Sequence, residues 1–335
     1  MNKPIKMLAG LMLAVTLAGV ATMAAPAVVS ADTATEQSSS SSSTATHTLS
    51  NSYVVYGAGA PQSVYDQLNS VMGVDSSFKK LTATASDYAK YIGNGTTTDA
   101  AMISSVAIAP TDPGSGVKVN IKKYDGQSNI TEVTAQQYAM VAQMAGVTDI
   151  TIVVTANRAV SGESALTGVY KAFEADGHQL NSQNTAAANS VLDATQSAID
   201  ANKDDSSYPG KLMAAVGDTS KQIAQQKQSS GELATKADIQ EMLNKALEKR
   251  GIADQTTTTQ QEKIASALVN FQNSPISSSK TYVTNVTNTI NNVKNSTGNL
   301  MNKAKNWANS KAGKETVKEA QSWIAKFIDW VKSFF

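Results

Sequence analysis

Short apolar runs and helix-like spacings alternate between Tyr53 and about Gly177. Runs rich in β-branched and aromatic residues predict strands, and apolar residues three or four positions apart predict helices. The segment "PTDPGSG" between the third and fourth predicted strands favours a turn, so we expect these two strands to form a hairpin. The pattern predicts one sheet with helices packed on it. The predicted strands are 53–56, 78–85, 104–109, 117–123 and 150–155, and the predicted helices are 63–72, 86–92, 134–145 and 162–175.

A weak internal repeat lies within this region. The segment "YDQLNSVMGVD" begins at Tyr65, and "YAMVAQMAGVTD" begins at Tyr138. In both segments a glycine follows a predicted helix, and we expect Gly73 and Gly146 to end those helices in the left-handed conformation. Two interpretations stay open: the two units pack as pseudo-equivalent halves, or the similarity arose by chance.

Strand signals largely disappear beyond Gly177. Helical patterns occupy 180–201, 233–251 and 260–273, and a narrow apolar stripe follows Pro275 at Tyr282, Val286, Ile290 and Val293. Such thin stripes favour weak or partner-dependent packing, either as a bundle on the first domain or as a partly extended stalk. The predicted fold class is α+β, with an N-terminal mixed sheet and packed helices at 53–178 and an all-helical region at 179–313.

The last fourteen residues, "SWIAKFIDWVKSFF", hold five of the nine Trp and Phe residues of the chain. At 100° per residue, the large apolar side chains of a helix at 314–335 share one arc, and the lysines lie on the opposite arc. This segment is therefore predicted to be an amphipathic helix about 33 Å long. The predicted contact residues are Trp323, Ile324, Phe327, Trp330, Val331 and Phe334.

Three alternatives are open for the apolar face of this helix. It packs against the preceding helices of the same chain, or it lies in an anionic lipid surface with its lysines toward the headgroups. In the third alternative it binds a protein partner, in a groove or in an oligomer. The charged face excludes a membrane-spanning helix. The sequence does not decide the oligomeric state.

The first residues have the three parts of a secretory signal: a basic start at Lys3 and Lys6, an apolar run, and a small-residue site ending at Ala31. We predict cleavage before Asp32, with an uncleaved anchor as the alternative. The segment 32–52, which contains six consecutive serines and His47, is predicted to be a disordered tether. Nothing in that segment fixes His47 for metal binding or catalysis.

Composition agrees with an exported protein that is secreted or attached to the cell envelope. The chain has no cysteine, and 16% of its residues are charged. Without the signal, 26 basic residues face 27 acidic ones, which disfavours general nucleic-acid binding. The basic residues concentrate at 302–335, where seven lysines face three acids.

The loop before the helix at 162–175 is the candidate ligand site. Arg158, Ser161, Glu163 and Ser164 follow a predicted buried strand, at a position where helix N-termini often bind anionic or sugar-like ligands. The structural alternative is that Ser161 caps the helix, Glu163 interacts with its positive end and Arg158 forms a salt bridge.

No catalytic residue, metal site or cofactor is predicted. Ser164 resembles an esterase nucleophile, but Leu166 stands where the nucleophile elbow requires glycine. His178 would lie about 21 Å from Ser164 along one helix, too far to act as its base. The spacings of a metal site, a dinucleotide fingerprint and a phosphate loop are missing as well.

The segments "SSVAIAP" and "GVKVNI" and the run from Asn129 to Glu174 resemble the YpuA-like family. These are secreted proteins of low-GC Gram-positive bacteria, and their shared region is a domain of unknown function. The resemblance covers about residues 50–200. It implies an exported or envelope-associated protein and carries no activity. We therefore predict a binding or scaffold protein of the cell surface, with a carboxylate-dependent enzyme acting on wall polymer or a small ligand as the alternative.

Overall fold

The computed structural model describes residues 46–93, 96–293 and 300–332. The predicted signal and most of the predicted tether, residues 1–45, lie outside this range. In the last helix, the side chains of the predicted contact residues Trp323, Ile324, Phe327, Trp330 and Val331 are also outside the described part, as is all of Phe334.

Five strands form one mixed sheet in the order β2-β1-β3-β5-β4. The two outer pairs, β1 with β2 and β4 with β5, are parallel, whereas β3 runs antiparallel to both of its neighbours. Together with the helices that follow, this sheet confirms the predicted α+β class. The strands are β1 (Tyr53–Gly57), β2 (Lys79–Ala83), β3 (Ser105–Pro110), β4 (Val117–Ile121) and β5 (Ile150–Thr155).

The predicted hairpin of β3 and β4 is wrong, because β5 lies between them. β3 and β5 are buried along their whole length and pair over six residues, whereas β4 alternates buried with partly exposed positions and takes the edge. The turn-rich loop crosses the start of β5 and is held there by Asp149. The Asp149 carbonyl accepts a hydrogen bond from Thr111 N at 2.9 Å, and its carboxylate accepts one from Gly116 N at 2.8 Å.

Helices cover both faces of the sheet. Side chains of α3 and α4 pack with one face, and side chains of α1 and α10 pack with the other. The helices from α5 to α9 lie beyond α3 and continue the same apolar core. The helices are α1 (Tyr65–Met72), α2 (Ala85–Tyr91), α3 (Ala135–Met144), α4 (Glu163–Ala175), α5 (Ser182–Ala201), α6 (Tyr208–Ser230), α7 (Lys236–Lys249), α8 (Thr258–Asn273), α9 (Lys280–Asn292), α10 (Leu300–Asn309) and α11 (Lys311–Lys332).

The two glycine stops of the repeat form as predicted. Gly73 and Gly146 have φ angles of 75° and 97°, and the next residue folds back in each case. Val74 N donates to Asn69 O at 2.9 Å, and Val147 N donates to Ala142 O at 3.0 Å. However, α1 and α3 lie on opposite faces of the sheet, so the two units do not pack as equivalent halves.

The narrow stripe of α9 packs inside this chain, so its burial requires no partner. Tyr282 and Val286 are 0% exposed, Ile290 is 5% exposed and Val293 is 1% exposed. Polar residues between them are buried as well: Thr289 donates to Gln143 Oε1 at 2.8 Å and accepts from Val117 N at 3.0 Å. A thin stripe suffices because hydrogen-bonded polar side chains continue the contact on both sides.

Helix α6 was not predicted, although it is central to the bundle and packs on α3, α7 and α9. Its start, Tyr208-Pro209-Gly210, reads as a turn, and Gly217 interrupts the helical pattern. In the fold, Gly217 lies where a Cβ would come within 2.5 Å of Met140 Cε and 2.7 Å of Ile290 Cγ1. Because Gly217 has no side chain, α3 and α9 can both pack closely against α6 at this position.

The last part of the predicted tether, residues 46–52, packs into the fold. His47 forms a parallel bridge with Val147, and Leu49 is 1% exposed. The polar composition of this segment predicted disorder, but its backbone hydrogen bonds to the loop after α3 and Leu49 fills a place in the core.

Helix α11 begins three residues before the predicted start at 314. Lys314, Lys318 and Lys326 are exposed. Among the described residues, none of the helices combines the length and the apolar character that a bilayer crossing requires.

Replacing Ile290 with alanine tests whether the α9 stripe is part of the core. We expect Ile290→Ala to lower the free energy of unfolding by about 2–5 kcal/mol, since it leaves a cavity among buried helices. Thr284→Ala, at an exposed position of the same helix, is the matched control and should change stability by less than about 0.5 kcal/mol. Urea unfolding followed by circular dichroism measures both. Equal, small effects would contradict the burial of α9.

Candidate functional site

The predicted ligand loop connects β5 to the N-terminus of α4. The N-cap residue of α4 is Gly162, with a φ angle of 113°, so the prediction that Ser161 caps this helix is wrong. A Cβ at Gly162 would lie 2.6 Å from the Tyr138 hydroxyl and 2.8 Å from Ile130 Cγ2. Both the positive φ and the close packing require glycine here.

Ser104, just before β3, supplies the missing cap. Its Oγ accepts a hydrogen bond from Ala165 N at 2.9 Å and donates to Gly162 O at 3.1 Å. Ser164 is 8% exposed, and its Oγ lies 2.5 Å from Ser104 Oγ and donates to Ser104 O at 3.3 Å. The Ser164 hydroxyl therefore holds the helix end and is not presented to a ligand.

Glu163 is the half-buried acid of the site. Its Oε2 accepts a hydrogen bond from the Tyr88 hydroxyl at 2.7 Å. Burial raises the pKa of Tyr88, and the hydrogen bond to Glu163 raises it further. Partial burial of the Asp193 carboxyl raises its pKa, and the nearby negative charge of Glu163 adds to that shift. Two carboxyl groups from α4 and α5 therefore interact at this place.

Arg158 and Ser161 lie on the outer side of the loop. Arg158 is exposed, and its Nη2 donates to Ala100 O at 3.3 Å. Within the described part of the chain, no carboxylate comes close enough to form the salt bridge considered for Arg158. The carbonyl of Ser161 accepts from Val133 N at 3.0 Å, and its side chain makes no capping bond. Of the four predicted residues, Arg158 and Glu163 thus present charged groups.

A shallow groove between α5 and α8 adjoins the acid pair. It consists of two depressions of about 250 and 400 Å³, and both are lined by Ser190 and Asn270. Asp193 and Lys263 line the larger one. Amide, hydroxyl and charged groups above a floor of alanines provide donors and acceptors for a hydroxyl-rich ligand. Among the described residues, no three His, Asp or Glu side chains are placed to hold a metal ion.

Sequence reasoning missed Ser104, Tyr88 and Asp193. Ser104 lies 60 residues from Ser164, and Tyr88 lies 75 residues from Glu163. Neither spacing has a local signature, because the residues meet only when β3 and α2 pack beside α4. No sequence signal distinguishes Asp193 from the other acids of the helical region.

Replacing Ser104 and Ser161 one at a time with alanine tests which of the two serines caps α4. We expect Ser104→Ala to lower the free energy of unfolding by about 1–2 kcal/mol, because it removes the side-chain acceptor of Ala165 N and leaves that group with Gly162 O alone. Ser161→Ala should change it by less than about 0.5 kcal/mol. Thermal and urea unfolding measure both variants. A larger loss for Ser161→Ala than for Ser104→Ala would contradict the capping role of Ser104.

Comparisons with known proteins agree with the sequence resemblance. A family model described as "Protein of unknown function (DUF1002)" matches residues 56–293. The uncharacterized protein YpuA of Bacillus subtilis (strain 168) is 30% identical over 133 residues, which are 39% of this chain and 44% of that relative. No solved structure matches the chain. Since the family model covers more than half of the chain, the predicted resemblance is confirmed, and the chain belongs to the YpuA-like DUF1002 family of proteins of unknown function.

Proposed function

We propose that this chain is an exported binding or scaffold protein of the cell envelope that contacts an anionic lipid surface through α11. The observation that carries the proposal is that Lys311–Lys332 is one continuous α-helix. The predicted amphipathic pattern assumed an α-helical rotation of 100° per residue, and the backbone of this segment has that geometry. On that projection one face holds Trp and Phe and the opposite face holds Lys. This composition is typical of helices that lie in a membrane interface.

The charge on α11 supports an anionic surface as its partner. Lys314, Lys318 and Lys326 are exposed, and the surrounding stretch at 302–335 is the basic part of a nearly neutral chain. A lysine close to an anionic membrane contributes about 1 kcal/mol of attraction. The secretory pattern at 1–31 supports export to a compartment where such a surface is available.

Vesicle sedimentation tests this role. The chain from Asp32 should sediment with vesicles that contain phosphatidylglycerol and much less with pure phosphatidylcholine. The triple variant Lys314→Glu, Lys318→Glu and Lys326→Glu should bind anionic vesicles at least about 100-fold more weakly, because three attractive charges become repulsive. Deleting 311–335 should abolish binding to both vesicle types.

The matched control is a second triple variant, which has the same net charge but carries its three substitutions elsewhere on the surface. Lys203, Lys236 and Lys249 are exposed in the helical region, and reversing all three should leave most of the vesicle binding intact. Equal loss in both triple variants would show that net charge alone governs binding. If deletion of 311–335 left lipid binding unchanged and lowered the melting temperature, α11 would be a core helix and the proposal would be wrong.

A second candidate function is a carboxylate-dependent enzyme acting on wall polymer. The observation that favours it is the electrostatic coupling of Glu163 and Asp193 beside the groove between α5 and α8. Burial and the charge of Glu163 raise the pKa of Asp193, so the Asp193 carboxyl keeps its proton to a higher pH than a free aspartic acid does, as a proton donor requires.

Incubation with purified cell wall tests the enzymatic function. If the groove is catalytic, the protein releases soluble saccharides, and both Glu163→Gln and Asp193→Asn reduce the rate at least about 100-fold. Asp204→Asn, at an exposed loop position, is the control and should keep the full rate. Release at the level of heat-treated protein, or full activity in Glu163→Gln, would rule this candidate out.

A further inference from the structure

Residues 46–52, here called the strap, are attached to the fold by their backbone. His47 N donates to Gly146 O at 2.7 Å, and Thr148 N donates to His47 O at 2.9 Å. The strap thereby extends along the loop that follows the glycine stop of α3. Leu49, in the middle of the strap, is 1% exposed and belongs to the apolar core.

The carboxylate of Asp176 holds the second half of the strap. This side chain, at the end of α4, is fully buried. It accepts hydrogen bonds from Asn51 Nδ2 at 2.7 Å, from the Tyr53 hydroxyl at 2.9 Å and from Ser50 N. Three donors from the strap and the start of β1 therefore converge on one buried anion.

The two histidines of the chain meet at this place. Gly177, with a φ angle of 91°, ends α4, and His178 N folds back to Phe173 O at 2.9 Å. The His178 ring then lies against His47 of the strap, with 5.1 Å between the ring centroids. His178 Nε2 is buried, lies 4.0 Å from Asp176 Oδ2 and has no hydrogen-bond partner among the described residues.

We propose that the strap is an acid-sensitive latch: protonation of the paired imidazoles of His47 and His178 releases residues 46–52 from the body of the protein. Two imidazolium ions cannot remain in ring contact in a partly buried site without strong repulsion. The strap is the element that moves, because a few hydrogen bonds and Leu49 hold it, whereas His178 is fixed by the turn after α4.

The direction of the pH effect follows from the two ring environments. Burial and the charge of a protonated His178 lower the pKa of His47 from 6.5 to about 4. Burial also lowers the pKa of His178, against the opposing effect of Asp176. The released strap therefore binds more protons than the docked strap between pH 4 and 6.5, and docking weakens as the pH falls through this range. From His47 alone, the equilibrium shifts toward release about 20-fold between pH 7 and pH 5.

Other charged groups around the strap do not reverse this effect. Burial raises the pKa of Tyr53, which stays neutral throughout the range. Burial also raises the pKa of Asp149, so its protonation favours the folded state and opposes release. Lys79 lies over the Tyr53 ring, and Lys314 and Lys318 of α11 line a depression together with strap residues 50–52.

Release changes the reach of the N-terminal part of the chain. The seven residues of a released, extended strap span at most about 23 Å between the body of the protein and the residues that precede the strap. The proposal is independent of lipid binding by α11.

Hydrogen exchange of the intact protein tests the latch. The amides of the strap and of Thr148 should lose protection about 20-fold or more between pH 7 and pH 5, after correction for the intrinsic pH dependence of exchange. Amides in the centre of β3 should keep their protection. In His47→Gln, which has no ionisable group at this position, most of the pH dependence should disappear.

Two further variants and one titration make the test decisive. Thr48→Ala removes the bond from Thr48 Oγ1 to Asp149 O without changing any charge. It should loosen the strap equally at both pH values and keep the pH dependence. Strap protection that is independent of pH in the unmodified protein, or full pH dependence in His47→Gln/His178→Gln, would overturn the proposal. NMR titration of the unmodified protein is independent of these variants: a His47 midpoint near 6.5 would overturn it as well.

Discussion

From Gln137 onward, helix α3 is buried on every side, and the rest of the fold depends on this constraint. All residues from Gln137 to Met144 are inaccessible to solvent. A helix without an exposed face must be covered all round, here by the sheet on one side and by α5, α6 and α9 on the others. Its two buried glutamines fix the arrangement, since Gln137 hydrogen bonds with α5 and Gln143 with α9. The sheet and the helical bundle therefore share one core.

This shared core explains how a sequence rich in Ala, Ser, Thr and Asn holds its sheet and helices together. Small residues let the helices approach closely. Gly217 of α6, for example, lies against Met140 of α3 and Ile290 of α9. Many buried hydroxyl and amide groups then form hydrogen bonds across the interfaces, such as Ser220 with Tyr282 at 2.7 Å. Dispersion contacts and satisfied hydrogen bonds together replace the broad apolar faces of ordinary bundles.

The ends of α4 bring the functional candidates together. At its N-terminus, the cap from Ser104 occupies Ser164 and leaves Glu163 as the charged group, coupled to Asp193. At its C-terminus, Gly177 turns the chain so that His178 reaches His47. One helix thus holds an acid pair at one end and an imidazole pair at the other, each beside a different surface of the protein.

The sequence by itself determined the local elements: β5, the glycine stops at Gly73 and Gly146, and most of the helices. These features depend on residues within four or five positions of one another, so their signals are complete in a short segment. Only the tertiary structure decided the place of β5 between β3 and β4, the cap from Ser104, the formation of α6 and the contact of the two histidines. Each of these depends on which buried surfaces fit together across many residues, and such a fit has no signature in the spacing of residues along the chain.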